Sequence, residues 1–255
     1  MELAVRQKMQ KELQQALGRP NRKWAMVIDT RKCVGCISCI VSCAAENVPP
    51  PKTSLRLVFE AETDSYPNTE KFFMPVNCMQ CDNAPCKKAA DKIQKGLVTK
   101  RSDGILVFNY DALRKNKEAR EAIMNSCPYN VVFEDNGHFY TENTPVLEKY
   151  ELREFFDIKK MTRKNGALKN TLRKCDFCIH RVENGILPVC VTACIGSAIY
   201  FGDVNDPDST VSKLLKKHPT FDLYPENSPN IHYIGYRTRK TFVPSDISRC
   251  VECHE

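Results

Sequence analysis

Residues 33–43 read CVGCISCIVSC, four cysteines in the pattern C-x2-C-x2-C-x3-C. Ordinary side-chain packing does not ask for a thiol every third residue along a loop. A cube of iron and sulfide does, because it needs four thiolates at the corners of a tetrahedron. A tight loop with this spacing wraps three corners of a [4Fe–4S] cube, and the fourth cysteine serves a different cluster. The motif therefore constrains the fold from outside its own residues. A second cysteine-rich stretch must return from elsewhere in the chain and exchange a ligand with it.

Residues 175–194, CDFCIHRVENGILPVCVTAC, supply that stretch as C-x2-C-x11-C-x3-C. The exchange pairs Cys33, Cys36 and Cys39 with Cys194 in a first cluster. It pairs Cys43 with Cys175, Cys178 and Cys190 in a second. Two zinc ribbons are the competing reading, but zinc sites use separated cysteine pairs, often with histidine, and residues 33–43 are too dense for that. Disulfides are the bland explanation of fourteen cysteines. Neighbouring cysteines in CxxCxxC runs are poorly placed to bridge one another.

A third motif, CMQCDNAPC, gives Cys78, Cys81 and Cys86. A bacterial-ferredoxin repeat would place a fourth cysteine at position 90, which is Ala90. Further on, SCPYN carries Cys127 before Pro128, the ending of such a motif, while Lys117, Arg120 and Ile123 occupy the offsets of its first three cysteines. One cluster thus keeps a full set in Cys78, Cys81, Cys86 and Cys127. The other has lost all four ligands, which reads as removal of a cluster as a unit. Twelve cysteines hold three [4Fe–4S] clusters.

The formal charge of +7 first suggests a nucleic-acid partner. Each oxidised cube with its thiolates carries about −2, so three offset roughly −6 of it, and nucleic acid is not expected. Arg31, Lys32, Lys87, Lys88, Arg173 and Lys174 all lie beside proposed ligands. Such charges favour the reduced cluster, although each taken singly reads as a solvated surface group. No stretch reaches the eighteen or so apolar residues of a membrane span, and no signal-peptide core is visible.

Residues 1–20 read as an amphipathic helix with Leu3, Leu13 and Leu17 on related faces, ended by Gly18 and Pro20. WAMVID at 24–29, TSLRLVFEA at 53–61, KFFMPV at 71–76, GILVFNY at 104–110 and AIYFGD at 198–203 read as strands. Residues 111–126 read as helix, VVFEDNGHFYT as a hairpin turning at Asn136-Gly137, and HYIGYRT as an edge strand. The basic run from Lys159 to Lys174 reads as an exposed approach to the last cysteine motif.

The strings MVIDTRKCVGCISC, PVNCMQCDNAPC, DGILVFNYD, SCPYN and KCDFCIHRVENGILPVCVTAC followed by SAIYFGD resemble, in order, the iron–sulfur subunits of the complex iron–sulfur molybdoenzyme family. That group includes the electron-transfer subunits of dimethyl sulfoxide, polysulfide and tetrathionate reductases and of formate-dependent nitrite reduction systems. The resemblance covers roughly residues 22–205. It implies an α+β fold of two bacterial-ferredoxin-like modules, the second inserted within the first, with loop-rich extensions. The division is an N-terminal helical extension at 1–21; a first module of 22–69 plus 170–205 with two clusters; a second module of 70–145 with one; a basic connector at 146–169; and a C-terminal extension at 206–255.

Such subunits pass electrons between a molybdopterin catalytic subunit, or a multihaem cytochrome, and a multi-span membrane subunit that reacts with quinone. Typical members hold four clusters, and the one missing here lies, by the resemblance, between the first pair and the outermost, which would leave a long gap. Ala44 and Ile195 stand where the family usually has proline. No catalytic residue is assigned. A zinc-binding interaction module and an iron–sulfur enzyme with its own substrate site are the alternatives. The chain ends in CVECHE, where Cys250, Cys253 and His254 spell the attachment motif of c-type haem. A haem there, with His218 or His232 as candidate second ligands, would put the chain on the extracytoplasmic face of the membrane. Without it the chain is read as cytoplasmic, held to the membrane through its partners.

Overall fold

The computed structural model describes residues 2–63, 67, 70–138 and 169–235. Its centre is a four-stranded sheet. Strand β1, Trp24–Asp29, is buried at every position, as an apolar run in a central strand should be. It pairs antiparallel with β8, Ile199–Asp203, through Trp24↔Asp203 to Ile28↔Ile199. On its other side it runs parallel to β10, Ile231–Ile234, with Met26 opposite Ile231. The short β9, Thr220–Phe221, closes the edge, giving the order β8-β1-β10-β9.

The segment HYIGYRT therefore does not lie at an edge. Its first residues form β10 inside the sheet, and the Tyr233 hydroxyl, fully buried, donates to Pro75 O at 2.9 Å. The stretch after residue 206 thus contributes two strands and helix α8, Thr210–Lys217, to the body.

Helix α1, Glu2–Ala16, packs on this sheet through Met9, Leu13 and Ala16, spaced at one helical face. Polar clasps add direction. Arg6 donates to Thr192 O at 3.3 Å, to Ser197 Oγ at 3.1 Å and to Cys194 O. Gln10 Oε1 accepts from Leu187 N at 3.1 Å. The helix is thereby bound to the loop of the last cysteine motif.

Strands β2, Arg56–Thr63, and β3, Glu70–Asn77, pair antiparallel from Arg56↔Asn77 to Thr63↔Glu70. Helix α2, Ser38–Asn47, follows the first cysteine loop. Beyond β3 come α3, Pro85–Ile93, the hairpin of β4, Val98–Lys100, with β5, Leu106–Phe108, then α4, Tyr110–Lys115, and α5, Lys117–Asn125. The helix expected over 111–126 is broken at Asn116, whose side chain accepts from Ala119 N at 2.9 Å and starts α5 anew.

Strand β6, Phe133–Asp135, pairs with β7, Thr171–Arg173, far along the chain; the second arm of the hairpin expected at Asn136-Gly137 lies outside the described residues. The end of the basic run is not exposed either. Thr171, Leu172 and Lys174 are buried because β7 lies against β6 and packs towards α4. Two short helices, α6, Ile179–Val182, and α7, Val189–Thr192, complete the last cysteine motif.

Candidate metal centre

The first C-x-x-C pair of each described cysteine motif makes the same local turn. The residue just before the second cysteine is left-handed: Gly35 at φ 67°, Gln80 at 50° and Phe177 at 59°. Glycine takes this conformation freely, whereas a side chain resists it at a cost of about 1 kcal/mol or more. At Gln80 the surroundings hold it: the fully buried side chain donates to Cys175 O at 2.6 Å and accepts from Leu106 N at 2.8 Å. The turn curls the backbone so that both thiols face one point.

Cys33, Cys36, Cys39 and Cys194 line one cavity of about 340 Å³, with Val58, Pro75 and Gly196 among its walls. A Cβ on Gly196 would sit 2.3 Å from Lys32 O, so only glycine lets the two loops meet here. Cys43, Cys175, Cys178 and Cys190 line a second cavity of about 320 Å³. Cys78, Cys81, Cys86 and Cys127 form the third group: burial first, and then neighbouring sulfurs of the group, raise the pKa of Cys81, Cys86 and Cys127. These twelve cysteines are all free thiols, so none of them is spent on a disulfide. Cys250, Cys253 and His254 lie outside the described residues. Of the candidate second haem ligands, His232 binds Asp222 Oδ1 through Nδ1 at 2.8 Å, and His218 caps the end of α8.

Burial, reinforced by neighbouring sulfurs, pushes Cys39 up to about 11 and Cys43, Cys81 and Cys86 up to about 12. Exposed Cys36 goes the other way: its slight burial is outweighed by hydrogen bonding from Ser38. Four thiolates in a dry pocket repel one another, and a multiply charged cation core is what reverses that balance. Among the described residues no three His, Cys, Asp or Glu side chains close tightly enough to hold a single metal ion. The first two quartets instead line cavities, as donors to a polynuclear core do.

A model of a 4Fe-4S dicluster domain matches residues 69–145 and 157–204. The chain is 40% identical over 233 residues to a selenate reductase subunit of Mesobacillus selenatarsenatis, covering 89% of this chain and 77% of that one. It is 32% identical to the iron–sulfur subunit of the arsenate respiratory reductase of a Shewanella species, covering 82% of this chain and 94% of that one. A tetrathionate reductase subunit of Salmonella typhimurium is 31% identical, with 86% and 74% covered. The chain belongs to the iron–sulfur subunits of the complex iron–sulfur molybdoenzyme family. It is an electron-transfer subunit of a reductase complex, and it carries [4Fe–4S] clusters. No helix among the described residues is long and apolar enough to cross a membrane.

In this iron–sulfur subunit the sulfurs have hydrogen-bond donors. Asn47 Nδ2 donates to Cys43 Sγ at 3.3 Å, Asn77 Nδ2 to Cys175 Sγ at 3.4 Å, and Ala198 N to Cys194 Sγ at 3.2 Å. The third cysteine group borders the second. Asn77 immediately precedes Cys78 while touching Cys175, and Lys174 reaches Cys175 O at 3.2 Å and Leu106 O at 2.6 Å. The second and third cysteine groups therefore adjoin, without a long gap between them.

The residues at the offsets of the missing ligands are packed as protein. Ala90 and Ile123 are fully buried on α3 and α5. Arg120 donates to Leu113 O at 2.8 Å and Arg114 O at 3.1 Å and pairs with Glu134 at 3.1 Å.

Reasoning from motifs missed Arg56. Its guanidinium is almost fully buried, donates from Nη2 to Asn77 Oδ1 at 2.8 Å and lines the second cavity. Nη1 has no hydrogen-bond partner among the described residues. Nothing in LRLVFEA distinguishes this arginine from an exposed strand residue, so only the fold reveals it.

Proposed function

We propose that the chain holds three [4Fe–4S] clusters: on Cys33, Cys36, Cys39 and Cys194; on Cys43, Cys175, Cys178 and Cys190; and on Cys78, Cys81, Cys86 and Cys127. It relays electrons between a molybdopterin catalytic subunit, or a multihaem cytochrome, and a membrane subunit that reacts with quinone. The observation carrying this is the crossing of the first two sites. Cys194 closes the cavity of the first motif while Cys43 lines the cavity of the last. That reciprocal exchange is the one the ferredoxin spacing demands.

When bound, each cluster takes up and releases one electron without leaving an iron open to substrate. The chain's own residues hold the thiolates, exclude water and donate hydrogen bonds to sulfur, which favours the reduced state. The first site is the open one: Cys36 is exposed, with Val34, Ile37 and Ile195 exposed around it. This apolar rim supports docking of the catalytic partner there. The pairing of β1 with β8 supports a first module of 22–69 plus 170–205 with a second, 70–145, inserted within it. A single covalent haem c on Cys250, Cys253 and His254 completes the proposal and carries with it an extracytoplasmic location.

Anaerobically purified protein should contain about twelve iron and twelve acid-labile sulfide per chain. Sixteen iron, or zinc in place of iron, overturns the assignment. A pyridine haemochrome spectrum on protein from its native host tests the haem; its absence leaves the cytoplasmic, three-cluster reading.

A further inference from the structure

Two buried cations stand at the borders between cysteine groups. Arg56 lines the cavity of the second group and lies within electrostatic reach of Cys39 and Cys33 of the first. Its Nη1 finds no acceptor among the described residues, so that edge of the guanidinium is left for the charge beside it. Lys174 occupies the other border. Its ammonium is buried, donates to Cys175 O of the second group and Leu106 O, and lies over the Phe108 ring at 5.2 Å. It is within electrostatic reach of Cys78 and Cys86 of the third group. Among the described residues no carboxylate lies within ion-pair distance of either cation, and Asp176 acts on Lys174 only from further off, alongside the sulfurs.

A bare cation in a protein interior is costly unless an opposite charge faces it. Three adjacent cubes with their thiolates supply negative charge on both sides of each border. We propose that Arg56 and Lys174 are potential-setting residues, each shared by two neighbouring clusters, which screen those clusters from one another so that an electron on one does not block the next. This inference rests on the proposed ligand sets and adds to them an order: first, Arg56, second, Lys174, third.

The test is an EPR-monitored redox titration of the full chain, with iron and sulfide measured on every sample. Arg56→Met should lower the midpoint potentials of the first and second clusters and leave the third unmoved. Lys174→Met should lower the second and third and leave the first unmoved. Arg56→Lys and Lys174→Arg, which keep the charge, should restore most of each shift. If Arg56→Met does not retain its iron, Lys174→Met carries the same test at the other border. Fully loaded variants with unchanged potentials, or with all three clusters shifted alike, overturn the inference. A wild-type protein without three clusters overturns the ligand sets instead.

Discussion

Asn77 joins two cysteine groups: its side-chain nitrogen lies 3.4 Å from Cys175 Sγ, and its backbone leads directly into Cys78. The same side chain accepts from Arg56 at 2.8 Å and is completely buried. Asn77→Leu keeps the volume and removes both functions. A buried guanidinium deprived of its acceptor should cost about 1–3 kcal/mol. We expect a lower thermal midpoint and a lower potential for the cluster on Cys175, read by calorimetry and EPR titration. Unchanged values in both would contradict the role given to Asn77.

Cys127→Ser and Cys43→Ser should remove different clusters. Each variant should retain about eight iron rather than about twelve. The first should lose the signal of the Cys78, Cys81 and Cys86 site, the second that of the Cys175, Cys178 and Cys190 site. Loss of one and the same signal in both variants would break the pairing.

That Cys194 would lie with the first cysteine loop and Cys43 with the last motif was legible in the sequence, because metal geometry leaves so few spacings open. So were β1, β8, β2 and β3, whose apolar runs are long and bounded by turns. The placement of β10 was not. HYIGYRT alternates like an edge strand, and its burial beside β1 depends on a parallel pairing across roughly two hundred residues that no local pattern encodes. Arg56 and Gln80 were hidden, and Lys174 was legible as a charge beside a ligand but not as a buried one, because a buried cation or amide looks in sequence like a surface one. Asn116 was readable as an N-cap, yet the helical propensity of its neighbours masked it.

The positions where a fourth ligand set would stand lie on helices. Restoring Ala90→Cys, Lys117→Cys, Arg120→Cys and Ile123→Cys together should not raise iron above about twelve per chain. The last three positions lie on α5, whose regular backbone cannot curl as the C-x-x-C loops do, and Arg120 no longer secures the end of α4. Iron near sixteen would mean that the site was merely unliganded.

Asp82 lies beside Cys81 and receives Lys23 Nζ at 2.6 Å, Asn230 Nδ2 at 2.9 Å and Lys100 Nζ at 3.0 Å. Partial burial would raise its pKa, but the hydrogen bonds from Lys23, Asn230 and Lys100 override this and hold it at about 2 against an ordinary 3.8. A depressed carboxyl contributes stability above its unfolded pKa and loses it as pH falls through the folded one. The thermal midpoint of wild type should therefore exceed that of Asp82→Asn by a constant margin between about pH 5 and 8, and the margin should shrink below about 4. A margin that grows with acidity would reverse the argument. Its size stays small, since the carboxyl is partly exposed and screened.

Strand β10 carries a consequence for biosynthesis. Chains emerge from the ribosome N-terminus first, at about 5–20 residues per second. The first four cysteines are translated early, but β1, which leads into their loop, acquires neither neighbour until residues 199–203 and 231–234 have appeared. The first thiols thus wait through most of translation before Cys194, Gly196 and Ile199 complete their pocket. On this order of arrival cluster insertion is expected late, and a scaffold or chaperone that shields early thiols has its work set by the arrival of β10.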